Sequence, residues 1–339
     1  MSIEVRRATE DDVHNWDTFV EQSPHGNAFH QFDALEIQAA HAGAELIPLV
    51  GRKGEEVVGL FPLFRINKGP IATVFSPPPE LRVAYLGPVL LNMDHMKQRK
   101  REGRHHEFID DCLDWVREEI RPRYTHIRLG GRYDDLRAFS WNDYAITPQY
   151  TYHVDLSPGV DDVFMSFSSD ARSNIRNAPD DAYTIEEGGP EAIEQIVEQV
   201  ASRYESQGIS YRSTPGFVRD LYSTLPEGQI RPYVLRTDGE FAGGILVVDY
   251  KETVSRWQGG VRTDIDSDLA INDLLDWRIM RDAMDRGRTT YDLVGANNRR
   301  INRYKAKFNP ELHPFYSLER NAAGMKTLAH LYKTIREGV

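Results

Sequence analysis

The stretch Gly54-Glu55-Glu56-Val57-Val58-Gly59, followed by Leu60-Phe61-Pro62-Leu63-Phe64, returns later as Gly239-Glu240-Phe241-Ala242-Gly243-Gly244, followed by Ile245-Leu246-Val247-Val248-Asp249. Each copy reads as a hairpin turn feeding a strand, because a glycine-led polar start opens onto an apolar run of strand length. A second echo follows in the same order in both halves: Cys112 to Gly131 and Leu274 to Gly295 each hold a Leu-Asp-Trp helix, a basic break and a short strand ending in glycine. Two matches in the same order point to duplication of a unit built as strand, strand, helix, strand. The expected fold class is therefore α/β with mixed sheets. The expected domains are residues 1–150 and 151–339, consistent with 339 residues being the length of about two domains.

Hydrophobic residues make up 40% and charged residues 27%, enough to build buried cores and ill-suited to wholesale disorder. The formal charge of -11 has the wrong sign for coating nucleic acid through bulk electrostatics, although a local basic groove remains compatible with it. Of the 41 basic residues only 9 are Lys and 32 are Arg, so guanidinium forks are abundant for gripping phosphate or carboxylate. The single cysteine, Cys112, excludes an internal disulfide framework and a multi-thiolate zinc site. It lies in an apolar-periodic stretch and reads as a packing residue. The N-terminus is charged from Glu4 onward, and no run approaches the ~20 apolar residues that cross a bilayer. These features lead to the expectation of a cytoplasmic protein without a membrane span.

In the first half the pattern predicts a strand at 3–8, a helix at 10–21 capped by Thr9, strands at 45–51, 56–66 and 83–86, a helix at 103–120 and a strand at 125–129. The second half predicts a strand near 150 and helices at 160–177, 190–206 and 215–224. Strands at 230–236, 241–250 and 252–259 lead to a helix at 268–286. A strand at 290–294, a helix at 298–306, a strand at 313–319 and a helix from 321 complete the order.

Ligands of such sheets favour helix N-termini and the strand ends beside them. Gly259 and Gly260 read as a glycine pair before a helix start, where backbone amides would cradle a donor's phosphate or acyl carbonyl, with Arg262 beside them. The alternative is an ordinary capped loop. Arg172 and Arg176, four apart, share one helix face and suit an anion clamp. His105-His106-Glu107 fails as a metal cluster, since adjacent helix positions diverge by about 100° and the i, i+4 pairing of zinc helices is missing; no metal is expected. The basic run Lys97 to Arg104 reads as an exposed loop leading into a helix. The sequence carries no phosphate-binding P-loop, dinucleotide fingerprint or serine-nucleophile elbow.

The run Tyr291 to Arg320, YDLVGANNRRINRYKAKFNPELHPFYSLER, resembles the C-terminal signature of the FemAB-like branch of the GNAT acyltransferase superfamily, with Asp292, Gly295, Tyr304, Lys305 and Phe308 at the matching positions. Arg172, Ile175 and Arg176 resemble its Arg-x-x-Ile-Arg helix, and Trp16 to His30 its N-terminal Trp-x-x-Phe-Val and Phe-His pattern. The resemblance spans nearly the whole chain. It implies two tandem GNAT-like domains and transfer of an acyl or aminoacyl group from acyl-CoA or aminoacyl-tRNA, used as co-substrate rather than a bound cofactor, to a small-molecule or peptide amine. It implies Lys305 as the electrophilic cation, with Asp292 beside it at a strand end. Trp257, Tyr304 and Asn297 join Arg172 and Arg176 as candidate substrate contacts, and His153 and Asp249 are further proton acceptors to weigh.

The chain departs from the superfamily in lacking a clear glycine-rich pyrophosphate loop, and from some FemAB enzymes in lacking a coiled-coil arm for tRNA. The donor stays open between the two, and a non-catalytic tandem module that binds tRNA or a protein partner is the alternative.

Overall fold

A computed structural model describes residues 2–208, 211–262 and 268–321. It separates into two compact units, residues 1–148 joined by the segment from Phe315, and residues 149–314. The single cut expected at 150 becomes two, because Tyr316 to Asn321 pair with Leu129 to Tyr124 of the first unit.

The first unit runs β1 (Glu4–Arg7), α1 (Glu10–Gln22), α2 (Phe32–Ala42), β2 (Glu45–Lys53), β3 (Glu56–Lys68), β4 (Ile71–Ser76), β5 (Val89–Leu90), α3 (Gln98–Trp115), β6 (Tyr124–Leu129) and α4 (Arg137–Trp141). Thr9 caps α1 reciprocally with Asp12, whose Oδ2 accepts from Thr9 N and Oγ1 at 2.9 and 2.8 Å. β1, β2, β3 and β4 pair antiparallel in that order, and β4 pairs parallel with β6. Phe108 on α3 fills the space left by Gly51 and Gly59, where a Cβ would stand 2.4 and 2.7 Å from its ring. It sits in a core with Leu49, Phe61, Ile109 and Phe139.

The second unit runs β7 (Ala145–Asp155), α5 (Val160–Ser166), α6 (Ser169–Arg176), β8 (Thr184–Glu187), α7 (Pro190–Glu205), α8 (Pro215–Thr224), β9 (Ile230–Thr237), β10 (Glu240–Tyr250), β11 (Thr253–Val261), α9 (Ile271–Asp285), β12 (Thr290–Asp292) and α10 (Arg299–Lys305); β13 (Glu311–Asn321) begins in it. β8 to β11 pair antiparallel in sequence order, β11 pairs parallel with β12, and β12 antiparallel with β7. Leu275, Ile279, Tyr291, Phe167 and Phe308 centre its core.

The two hairpins are built alike. Each has a two-residue turn, Gly54-Glu55 and Asp238-Gly239, then two paired residues, then one extra residue on the outgoing strand, Val58 and Ala242. Counted from that bulge, Gly59 corresponds to Gly243, one residue before the Gly244 that letter matching selects. Gly243 faces Ile271 of α9 as Gly59 faces Phe108 of α3, whereas Gly244 faces Ile196 of α7.

Several expected elements differ. A helix, α2, occupies 32–42, where the pattern gave none. The expected helix at 160–177 is two helices broken at Phe167-Ser168. α3 starts at Gln98, which places the basic run in its opening turns rather than in a loop. Residues 83–86 form no strand and contribute a single bridge, Leu86 to Leu129. The helix expected from 321 lies outside the described residues. No described helix is long and apolar enough to cross a membrane.

Candidate active site

β11 and β12 stay in register only through Ser255 and Asp292. Beyond that pair, β11 continues with β10 to Val261, while Leu293 N and Ala296 N donate to Tyr152 O and Tyr150 O of β7 at 2.8 and 2.6 Å. The sheet therefore splits between the far half of β11 and segment 293–296. At the split β11 carries a bulge: Leu246 pairs with Gln258 and Val247 with Arg256, leaving Trp257 as the extra residue. A bulge bends its strand and interrupts the ladder at that residue.

Segment 293–298 is pinned from three directions. Lys305 reaches back from α10, its Nζ donating to Val294 O at 2.8 Å and Gly295 O at 2.7 Å. Asp292 accepts from Thr151 Oγ1 at 2.6 Å and from Val294 N at 2.8 Å, and Gly295 N donates to Thr151 Oγ1 at 3.1 Å. Asn297 Oδ1 accepts from Tyr150 N at 2.9 Å while its amide donates to Tyr150 O. These ties hold Val294 at φ +45°, a left-handed conformation that a β-branched residue enters only under constraint.

Electrostatics at this point are set by burial and pairing. Burial, reinforced by the Arg256 charge, pulls Lys305 down to about 8 against the opposing pull of Asp276 and Asp292. Burial alone would raise Asp292, but His153, Thr151 and the Val294 N–H outweigh it and hold its carboxyl below the usual range. His153 Nε2 stands 3.8 Å from Asp292, an ion-pair rather than hydrogen-bond distance, and its ring stacks on His313 at 4.3 Å. Beneath lies a buried network in which Asp276 accepts from Arg256 Nε at 3.0 Å, Tyr291 Oη at 2.6 Å and Tyr304 Oη at 2.5 Å. Both phenols are pushed well above their ordinary value, first by burial and then by the Asp276 charge.

The fold thus brings Lys305, Asp292 and Asn297 together around one loop, segment 293–298. Tyr304 turns its hydroxyl to Asp276. Trp257 is buried at the bulge and packs edge-on against Phe217, with centroids 5.9 Å apart. Gly259 and Gly260 are strand residues, paired with Ile245 and Gly244, rather than a loop before a helix; a Cβ at Gly259 would meet Gly244 O at 2.7 Å, so this glycine permits close strand packing. Arg262 donates to Phe241 O and lines a 560 Å³ groove with Gln195, Gln199 and Arg236, a groove that Lys305 does not line. Arg172 and Arg176 do share a face, but both reach Met165, and Arg176 lies over the Phe164 ring at 4.9 Å, so they brace the α5–α6 corner. Asp249 is buried among Arg231, Arg286 and Arg288, at 3.4, 2.9 and 2.7 Å. The residues that sequence reasoning missed are Thr151, Arg256, Asp276 and Tyr291. Their one sequence signal was the Asp inside the repeated Leu-Asp-Trp.

Residues 165–306 match the acetyltransferase (GNAT) domain family. Among solved structures, the chain is similar to FemX, at 15% identity and a TM-score of 0.72, over 97% of this chain and 99% of that one. It is also similar to the C-terminal domain of a putative lysylphosphatidylglycerol synthetase from Agrobacterium fabrum, at 15% identity and a TM-score of 0.60, over 97% and 98% of the two chains. A tandem GNAT protein from the clavulanic acid biosynthesis pathway matches at 12% identity and a TM-score of 0.52, over 94% and 98%. No curated protein matches the chain. The fold is that of the tandem GNAT proteins. The family match, residues 165–306, lies within its second unit.

Proposed function

We propose that the chain is an N-acyltransferase that moves an acyl or aminoacyl group from an activated donor to an amine, with the reacting groups at the split in the second unit. The observation that carries this reading is Lys305, a buried amine at the root of the split beside an ionised Asp292. An ammonium has three donors. Two hold the Val294 and Gly295 carbonyls, and the third is the one a donor's carbonyl or phosphate oxygen would receive as negative charge builds on it. His153, beside Asp292, offers an imidazole for the proton that the attacking amine releases. No glycine occurs in the sequence between Val261 and Ala270, the segment that leads into α9. The donor is acyl-CoA or aminoacyl-tRNA. A small-molecule or peptide amine is the acceptor.

The test is a product assay by mass spectrometry across acyl-CoAs and aminoacyl-tRNAs, comparing the native chain with Lys305→Ala. Loss of product is expected from a chain that circular dichroism shows to be still folded; turnover equal to the native chain's overturns the assignment. A second reading, a non-catalytic module that binds tRNA or a protein partner, is favoured by one fact: Lys305, Asp292 and Asn297 all already brace the 293–298 segment. Tight tRNA binding without product from any donor would decide for it.

A further inference from the structure

His105 and His106 are consecutive on α3, yet both rings converge on one carboxylate. The loop after β6 carries Asp135 between them: His106 Nε2 lies 3.0 Å from Asp135 Oδ2, and His105 Nδ1 lies 3.5 Å from the same oxygen. All three ligand atoms fall within 4.8 Å of one another. Around a tetrahedral ion bound at about 2.0–2.1 Å, neighbouring ligand atoms stand roughly 3.3 Å apart, a value between those two separations. Glu107, the third member of the sequence cluster, turns away to accept from Ile3 N at 2.9 Å.

The surrounding contacts are those of a metal site's outer shell. On its far side, His105 Nε2 lies 2.5 Å from the Tyr133 hydroxyl. In the tautomer that donates this proton to the Tyr133 oxygen, Nδ1 turns a bare lone pair toward Asp135, across a gap too long for an ordinary hydrogen bond. Arg137 forks onto Asp135, Nε to Oδ1 at 2.9 Å and Nη2 to Oδ2 at 2.8 Å, and so orients the carboxylate. His105, Tyr133 and Asp135 also line a 750 Å³ cavity of the first unit, which leaves an open side for a fourth ligand.

We propose that His105, His106 and Asp135 bind a divalent transition metal of the zinc type, with a fourth coordination position open to the first unit's cavity for water or a ligand oxygen. Two imidazoles and one carboxylate suit zinc, cobalt or nickel, whereas calcium and magnesium want oxygen alone. On binding, the ion takes the place of the proton that His106 Nε2 now shares with Asp135 Oδ2, and that proton leaves to solvent. The site is independent of the acyl-transfer reading, since none of its residues belongs to the second unit.

The full chain, dialysed against chelator, is titrated with Co²⁺ and followed by visible absorption. The expected result is one equivalent bound, with the intense bands of four-coordinate cobalt, displaced by Zn²⁺. Tyr133→Phe should weaken binding by about 10–100-fold, the usual effect of losing an outer-shell partner, and His106→Ala should remove the bands. Because Asp135 also anchors Arg137, His106→Ala carries the test, with circular dichroism checking that the chain stays folded. Only the weak bands of hydrated cobalt, or binding that survives His106→Ala, overturns the proposal.

Discussion

The two units share a frame and differ in what ties the loop after their parallel strand. In the second unit, segment 293–298 is held by an amine from the next helix and a carboxylate from the strand end. In the first, the loop after β6 presents Tyr133 and Asp135 to two imidazoles of the preceding helix. Sheet order and hairpin construction are set by backbone pairing and tolerate either solution. The chemistry at the strand ends is set by a handful of side chains. A duplicated frame therefore says where to look for a site and leaves open which reagents stand there.

The largest effect should come from the repeated Leu-Asp-Trp. Asp276 is fully buried under Arg256, Tyr291 and Tyr304, whereas Asp114 is exposed and pairs with Arg117 one turn on. Asp276→Ala strands a buried guanidinium and should cost about 3–5 kcal/mol in denaturant unfolding. Asp114→Ala should change stability by less than about 1 kcal/mol. Equal costs would mean that the two helices use the motif alike.

Next is the glycine that makes room for Phe108. Gly51→Ala places a methyl inside that ring's space and should destabilise the native chain, yet be almost harmless once Phe108→Ala has emptied it. A double-mutant cycle should return a coupling of about 0.5–3 kcal/mol, and additivity would show that the pair does not meet.

The smallest effect is electrostatic. Lys305 titrates near 8 in the folded chain against an ordinary 10.5, so between those values the unfolded chain holds the extra proton and folding gains as pH rises. Relative to Lys305→Met, the native chain should gain stability as pH rises from 8 to 10.5, read from denaturant unfolding at each pH. A gap that stays flat or closes would mean that the amine is solvated.

Much of the frame was legible because turns, caps and amphipathic periods are local. The Thr9 cap and the glycine-led turns of the two repeated hairpins announce their elements. α2 was not: FDALEIQAAHA is apolar on most sides, so it lacks the contrast that marks a surface helix. The break between α5 and α6 hides among small polar residues. Lys305 and Asp292 were named through the resemblance carried by the contiguous run Tyr291 to Arg320. Asp276, Arg256 and Thr151 were not, since they come from three separate elements and meet only after folding. The convergence of His105 and His106 depends on a loop nearly thirty residues away, which no helical-wheel argument contains.

The single unpaired residue three positions past each turn works as a surveyor's mark. Measured from Val58 and Ala242, the copies superimpose inside on inside; measured from their identical letters they slip by one, and alternation along a strand then lays every inward side chain over an outward one. Kinship between the halves is thus better preserved in where the ladder stumbles than in which amino acids were kept.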